Sequence, residues 1–156
     1  MTGSVFVEEI TALSEEVYLA VSRLLLQLSP SAGPLTRAQF QDIVESPDIH
    51  LLVARAEDRP DVAGMLTLAV FRIPTGIRAW IEDVVVDEAW RGRGIGRLLA
   101  GQALKLAETA GARTVDLTSR ASRAAANRLY RSLGFEIRET NIYRYTLPNP
   151  SLQVIW

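Results

Sequence analysis

The stretch Trp80 to Arg97 constrains this chain more than any other. It reads Trp-Ile-Glu-Asp-Val-Val-Val-Asp-Glu-Ala-Trp-Arg-Gly-Arg-Gly-Ile-Gly-Arg. A β-branched strand carrying two carboxylates runs into a glycine-arginine turn and then a helix. Ile81 and Val84 to Val86 have strand propensity, and Gly92, Gly94 and Gly96 let the backbone come close to a ligand. The helix expected from Ile95 offers unpaired N–H groups at its positive end. Together these make a phosphate site, with Glu82 and Asp83 beside it.

What the chain lacks narrows the chemistry. It has no cysteine and one histidine, which excludes a thiol nucleophile, a disulfide framework and a zinc cluster. Carboxylates, tyrosines, arginines and backbone must do the work, and no metal site is expected. A length of 156 residues, 48% apolar residues and a net charge of −1 fit one soluble globular domain, expected over residues 1–147 with a short tail at 148–156. The balance of charge gives no reason to expect nucleic acid. No basic leader or run of roughly 18 apolar residues is present, so the expected location is cytoplasmic, away from membranes. Charge is unevenly placed: between Arg91 and Arg131 nine Lys or Arg face two acids, giving +7 there and −8 elsewhere. Beside a glycine turn, that asymmetry favours a polyanionic small ligand.

Periodicity and punctuation give the element order. Ser4 to Glu9 alternates as a strand, and Ser14 caps a helix with the stripe Val17, Ala20, Val21, Leu24 and Leu28. Thr36 and Gln39 stand at capping-box spacing before a second helix, with Leu35 and Phe40 as its hydrophobic staple. Ile49 to Ala56 and Val62 to Arg72 read as a hairpin, and His50, with no partner to share a metal, reads as structural. Ala79 to Asp87 is a strand and Ile95 to Ala110 a helix ended by Gly111. Thr114 to Thr118 is a strand, Arg123 to Leu133 a helix, and Phe135 to Arg138 and Asn141 to Leu147 are two closing strands. This order predicts an α/β domain with a mixed, partly parallel sheet and helices on both faces.

Two glycine motifs fail at the turn. A dinucleotide fingerprint would need its third glycine at position 97, which is Arg97, and a triphosphate loop needs a lysine that the turn lacks. The pattern that remains is Arg91-x-x-Gly94-x-Gly96 at a strand-to-helix junction.

With that pattern, the strand-turn-helix from Ile81 to Ala110 and the later Asn127-Arg128-Leu129-Tyr130-Arg131-Ser132-Leu133-Gly134-Phe135 resemble the GNAT acetyltransferase superfamily. Ile81 to Asp87 is also similar to the corresponding strand of glucosamine-6-phosphate N-acetyltransferases. The resemblance implies a GNAT-like fold with a bulged central strand and acetyl-CoA as the acyl donor. It places the pyrophosphate on the N–H groups of Arg91, Gly92, Arg93, Gly94, Ile95, Gly96 and Arg97. It pairs the pantetheine arm with Val84, Val85 and Val86, an N–H near Val84 polarising the thioester carbonyl. Asn127 would hydrogen-bond the cofactor arm and Tyr130 would protonate the departing thiolate.

On a helix, Ala126, Leu129 and Leu133 form a buried face and leave Tyr130 half buried toward its rim. A phenol of ordinary pKa about 10 stays protonated at neutral pH and can give up that proton. An acceptor amine must lose one, and in a regular strand Glu82, on the side of Val84, is the candidate general base, with Asp83 and water as alternatives. Trp80, Glu139, Asn141, Tyr143 and Tyr145 are candidates to line the acceptor side, or for core or homodimer contacts. The expected function is N-acetyl transfer to a primary amine of a small molecule or peptide by direct attack in a ternary complex. The alternative is a non-catalytic acyl-CoA sensor or interaction module, for which Tyr130 and Glu82 would have no use.

Overall fold

A computed structural model describes residues 3–148, so most of the expected tail lies outside the described residues. Five strands form one sheet in sequential order: β1 (Val5–Ile10), β2 (Ile49–Ala56), β3 (Val62–Ile73), β4 (Gly76–Val86) and β5 (Thr114–Asp116). The first four pair antiparallel, and β5 joins β4 in parallel. The mixed sheet expected from the sequence is therefore present, with its parallel part confined to one pair.

The helices cover both faces. On one side α1 (Glu15–Leu28) and α2 (Arg37–Glu45) enclose a core with Val17, Val21, Leu24, Phe40, Leu51, Val53 and Met65. On the other, α3 (Ile95–Thr109) packs Ile95, Leu99, Ala100 and Ala103 against Leu52, Leu66, Leu68 and Ile81. α4 (Ala124–Ser132) closes the described helices. Local signals act as expected: Ser14 accepts from the Val17 N–H, and Thr36 and Gln39 form a reciprocal capping box. Phe40 is fully buried with Leu35 packed on the same core. His50 pairs through Nδ1 with Glu9 on the neighbouring strand at 2.6 Å, a cross-strand tie. No described helix is long and apolar enough to cross a membrane.

Two expectations change. Residues 136–148 contain no strand, and Ile137, Ile142, Tyr143, Tyr145 and Leu147 lie exposed. Their alternation has strand character, but a strand exists only when a neighbour accepts its hydrogen bonds, and no described strand pairs with them. On α4 the buried residue is Tyr130, at 8% exposure, while Ala126, Leu129 and Leu133 are only partly buried. The ring is drawn inward by an edge-on contact with Phe135, centroids 5.7 Å apart.

Candidate active site

The site begins where β4 loses regularity. Register along β3 pairs Thr67 with Glu82 but Met65 with Val85, so an extra residue is accommodated at Asp83–Val84. Asp83 takes φ +51, the one described non-glycine residue in left-handed territory. Aspartate tolerates that conformation better than most residues because its short polar side chain can serve the local backbone.

The bulge reverses the faces of the strand. Ala79 and Ile81 point to the α3 side before it; Val84 and Val86 point there after it, and Val85 joins the α1 and α2 core. The regular-strand expectation that Glu82 shares a side with Val84 is thereby corrected. Glu82 instead stands with Trp80, whose indole Nε1 donates to its carboxylate at 2.8 Å.

β5 pairs with β4 only at Arg78 to Trp80, then departs. From Ile81 onward β4 has an open side, and a cleft of about 160 Å³ occupies the gap. Leu28, Ile81, Glu82, Asp83, Val84, Leu117, Thr118, Arg123 and Tyr130 line it. A larger apolar hollow of about 330 Å³ lies between α1 and the α1–α2 loop. Its one titratable group, Tyr18, already donates its hydroxyl to the Leu35 carbonyl at 2.7 Å, so of these two cavities it is the smaller cleft in which reactive groups converge.

Within the cleft, desolvation and then the neighbouring Glu82 charge raise the pKa of Asp83 above its ordinary value. The residue as a whole is exposed; the crowding is local to its carboxyl. Burial pushes the Tyr130 phenol up, opposed by the positive charge of Arg123. The tyrosine thus stays protonated over the neutral range.

Immediately after β4, Asp87 is buried and its carboxylate accepts from Arg23 of α1 and from the Ala89 N–H. Burial alone would raise its pKa, but those donors overcome it and hold the carboxyl below its usual value. Gln27 accepts from the Glu88 N–H at 3.1 Å, so α1 is fastened to the start of the glycine turn by two contacts.

In the turn itself, Gly92 and Gly94 both have φ +76, and a Cβ added to either would meet nothing within 4 Å. The glycines are required by conformation, and the space beside them is open. Among the described residues, no backbone acceptor meets the N–H groups of residues 91–94, and no side chain caps α3 at Gly94. The first-turn N–H groups of Ile95, Gly96 and Arg97 therefore face outward unpaired. Gly96 does a different job: a Cβ there would sit 3.1 Å from Leu129, so its smallness sets the approach of α4 to α3. The side chains of Arg91 and Arg93 bend back to the carbonyls of Val86 and Ala89, and Arg97 reaches Ser132 at 2.7 Å. Such a cluster of outward N–H groups ringed by guanidinium groups fits a pyrophosphate.

Asn127 is partly buried, and its Nδ2 donates to the carbonyls of Arg120 and Ala121 at 2.9 and 3.5 Å. Its amide nitrogen is committed to shaping the β5–α4 loop, leaving Oδ1 for a ligand. Glu139, Asn141, Tyr143 and Tyr145 do not line the cleft.

The acetyltransferase (GNAT) family model matches residues 17–135, which include β4, the glycine turn, α3 and α4. The chain belongs to the GNAT acetyltransferase family. A stretch of 61 residues is 39% identical to an uncharacterised N-acetyltransferase of Methanocaldococcus jannaschii, covering 39% of this chain but only 27% of that protein. An acetyltransferase of Trypanosoma brucei superposes with a TM-score of 0.76 at 25% identity, over 92% of this chain and 100% of that one. An aminoglycoside acetyltransferase from an uncultured soil metagenomic sample, solved with sisomicin, gives a TM-score of 0.79 over 92% and 95% of the two chains. At 20% identity the last likeness concerns the fold.

Several cleft residues carried no signal of a site in the sequence: Leu28 at the end of α1, and Leu117, Thr118 and Arg123 of the β5–α4 connection, nearly ninety residues further along the chain. The Arg23–Asp87 tie, spanning 64 residues, was equally invisible. The oddity that could have pointed to the bulge is an Asp beside a Glu inside a β-branched run.

Proposed function

We propose that the chain is an N-acetyltransferase that moves acetyl from acetyl-CoA to a primary amine of a small molecule or peptide, by direct attack in a ternary complex. The observation that carries this reading is the convergence of Asp83, Glu82 and Tyr130 in a cleft on the open side of β4, next to the outward N–H groups of the turn.

Acetyl-CoA supplies an activated thioester and a pyrophosphate handle. Arg91 to Arg97 would hold the pyrophosphate, and the free edge of β4 at Val84, Val85 and Val86 would accept the pantetheine arm as a neighbouring strand, with Oδ1 of Asn127 beside it. An N–H at Val84 directed into the cleft would stabilise negative charge developing on the carbonyl oxygen. An amine of lysine-like pKa, about 10.4, arrives protonated and is drawn to the paired carboxylates. Glu82 was the sequence-based candidate for base. Because the Glu82 carboxylate is tied to the Trp80 indole, we assign that part to Asp83, whose pKa is raised by desolvation, and leave Glu82 to orient the ammonium. Tyr130 supplies a proton to the departing thiolate.

The test combines thermal shift with acetyl-CoA and release of free thiol in a panel of amines, aminosugars, polyamines and peptide N-termini. The reading expects stabilisation by acetyl-CoA and accelerated thiol release with at least one acceptor. Stabilisation with no acceleration would favour the acyl-CoA sensor; no stabilisation would remove the cofactor assignment.

A further inference from the structure

The cleft on the open side of β4 carries charges of both signs that the fold holds apart. Glu82 and Asp83 stand on the β4 wall, and Arg123, the residue before α4, stands on the wall that the β5–α4 loop provides. Among the described residues no ion pair joins Arg123 to either acid or to any other group. The arginines of the glycine turn behave differently: Arg91 and Arg93 fold back on carbonyls, and Arg97 reaches Ser132. Capping does not explain the residue either. Arg123 holds the N-cap position of α4, where Ser, Thr, Asp or Asn would supply an accepting oxygen, and an arginine has no acceptor to offer. Leu28 and Leu117 complete the cleft with apolar surface.

We propose that the acceptor is zwitterionic: a compact amino acid whose amine is taken by Asp83 and Glu82 while its carboxylate lies against the guanidinium of Arg123. This rests on the acyl-transfer reading and adds the acceptor's second charge to it. A simple amine would satisfy the acids but would bring its ammonium beside an unneutralised guanidinium, like charge against like. A carboxylate on the same molecule removes that repulsion. It also fills the planar fork of donors, which fits a carboxylate through two parallel N–H bonds. Transfer itself keeps its balance: a C–N bond forms, the C–S bond breaks, and the products are the N-acetyl amino acid, coenzyme A and the proton released from the ammonium.

A phosphate on the acceptor would offer Arg123 the same chemistry, and size favours the carboxylate. The cleft's about 160 Å³ is well below the roughly 300–1,000 Å³ of sites that enclose drug-sized ligands, which suits a molecule of few atoms. The positive charge of Arg123 also reaches Tyr130. The competing assignment is therefore a guanidinium that eases departure of the thiolate whatever the acceptor, and it predicts the same loss for every amine.

Matched probes separate the two. In thiol-release assays with acetyl-CoA, the common α-amino acids and β-alanine are each compared with their carboxamides, and ethanolamine phosphate with ethanolamine. For at least one amino acid, kcat/KM should exceed that of its carboxamide about 10–100-fold, the worth of a charge-assisted hydrogen bond. Arg123→Gln should bring that ratio near one, Arg123→Lys should keep part of it, and Arg123→Glu should turn it against the acid. The same ranking should appear in calorimetric binding of acid and carboxamide to the protein holding coenzyme A, where no transfer occurs. That arm stands even if no acceptor speeds thiol release, a result that would sink the acyl-transfer reading alone. Equal rates and affinities for acid and carboxamide, or a preference confined to ethanolamine phosphate, would overturn the proposal. So would an Arg123→Gln loss that is the same for every acceptor or that removes the acetyl-CoA thermal shift.

Discussion

The glycine turn and the β4 bulge lie within a dozen residues of each other, yet they make their halves of the site by opposite means. The turn works through backbone. Gly92 and Gly94 at φ +76 and the uncapped end of α3 present N–H groups, and the flanking arginines fold back on carbonyls. The bulge works through side chains. It rotates Asp83 out of the pleat, separates Glu82 from Val84, and opens a gap that residues of α1, the β5–α4 loop and α4 then line. A backbone site needs residue types that permit a conformation; a side-chain site needs a tertiary register. The first should be intolerant of any Cβ, whereas the second should respond to the loss of particular charges.

The largest effect expected is on the side-chain half. Asp83→Asn keeps the shape and tolerance of the left-handed conformation but removes the proton acceptor. Turnover should fall about 10²–10⁴-fold, the usual contribution of a positioned base, with acetyl-CoA affinity nearly unchanged. In the native chain, turnover should fall as pH drops through the raised pKa of Asp83, and that limb should vanish in the variant. Glu82→Gln should cost less and act mainly on KM for the amine. Equal losses in the two variants would dissolve the division of labour between the two acids.

Gly94→Val reverses the pattern. A Cβ there meets no atom within 4 Å, so the main cost is that of holding a β-branched residue at φ +76, about 1–2 kcal/mol or more, together with filling the phosphate space. Acetyl-CoA stabilisation should be lost in calorimetry or thermal shift, while β4 and the cleft stay intact. An unchanged acetyl-CoA shift would separate the turn from cofactor binding altogether.

This contrast also explains what could be read without coordinates. Gly94 and Gly96 declare themselves because few other residues suit such a junction, and Thr36 with Gln39 declares a helix start by spacing alone. The mixed sheet follows from element order. Nothing in Ile81 to Val86 states which residue is the extra one, because a bulge is a relation between β3 and β4 and appears only when Thr67 meets Glu82 and Met65 meets Val85. Tyr130 was expected at the rim of α4, but Phe135, beyond the helix, draws it inward. The closing strands failed for a related reason: Asn141 to Leu147 has strand alternation but no neighbour within the described chain.

Arg23→Ala probes the seam between the two halves, since Arg23 ties α1 to Asp87 at the end of β4. Losing a partner of a buried carboxylate can cost 3–5 kcal/mol; with the Arg23 side chain 48% exposed, about 1–2 kcal/mol is expected in urea unfolding. Asp87 has a depressed pKa, so its contribution is present above the unfolded carboxyl value and disappears as pH falls through the folded one. The difference between native and variant should therefore be full at neutral pH and shrink in acid. A difference independent of pH would assign the loss to packing of the arginine stem instead of the ion pair.

The smallest effect is the most diagnostic for the bulge. Asp83 has a folded pKa raised above 3.8, mainly by desolvation, so the folded state holds its proton more tightly than the unfolded chain does. Stability from this group is complete below the unfolded value and is lost as pH rises through the folded one. At neutral pH the ionised carboxyl is thus a modest burden on the fold, and Asp83→Asn should raise Tm slightly there while leaving it unchanged in acid. Gly94→Val should show no such pH signature. A residue whose removal stabilises the fold and abolishes turnover is held in place for chemistry. An Asp83→Asn variant less stable than the native chain at neutral pH would instead make the carboxylate a structural support of the bulge.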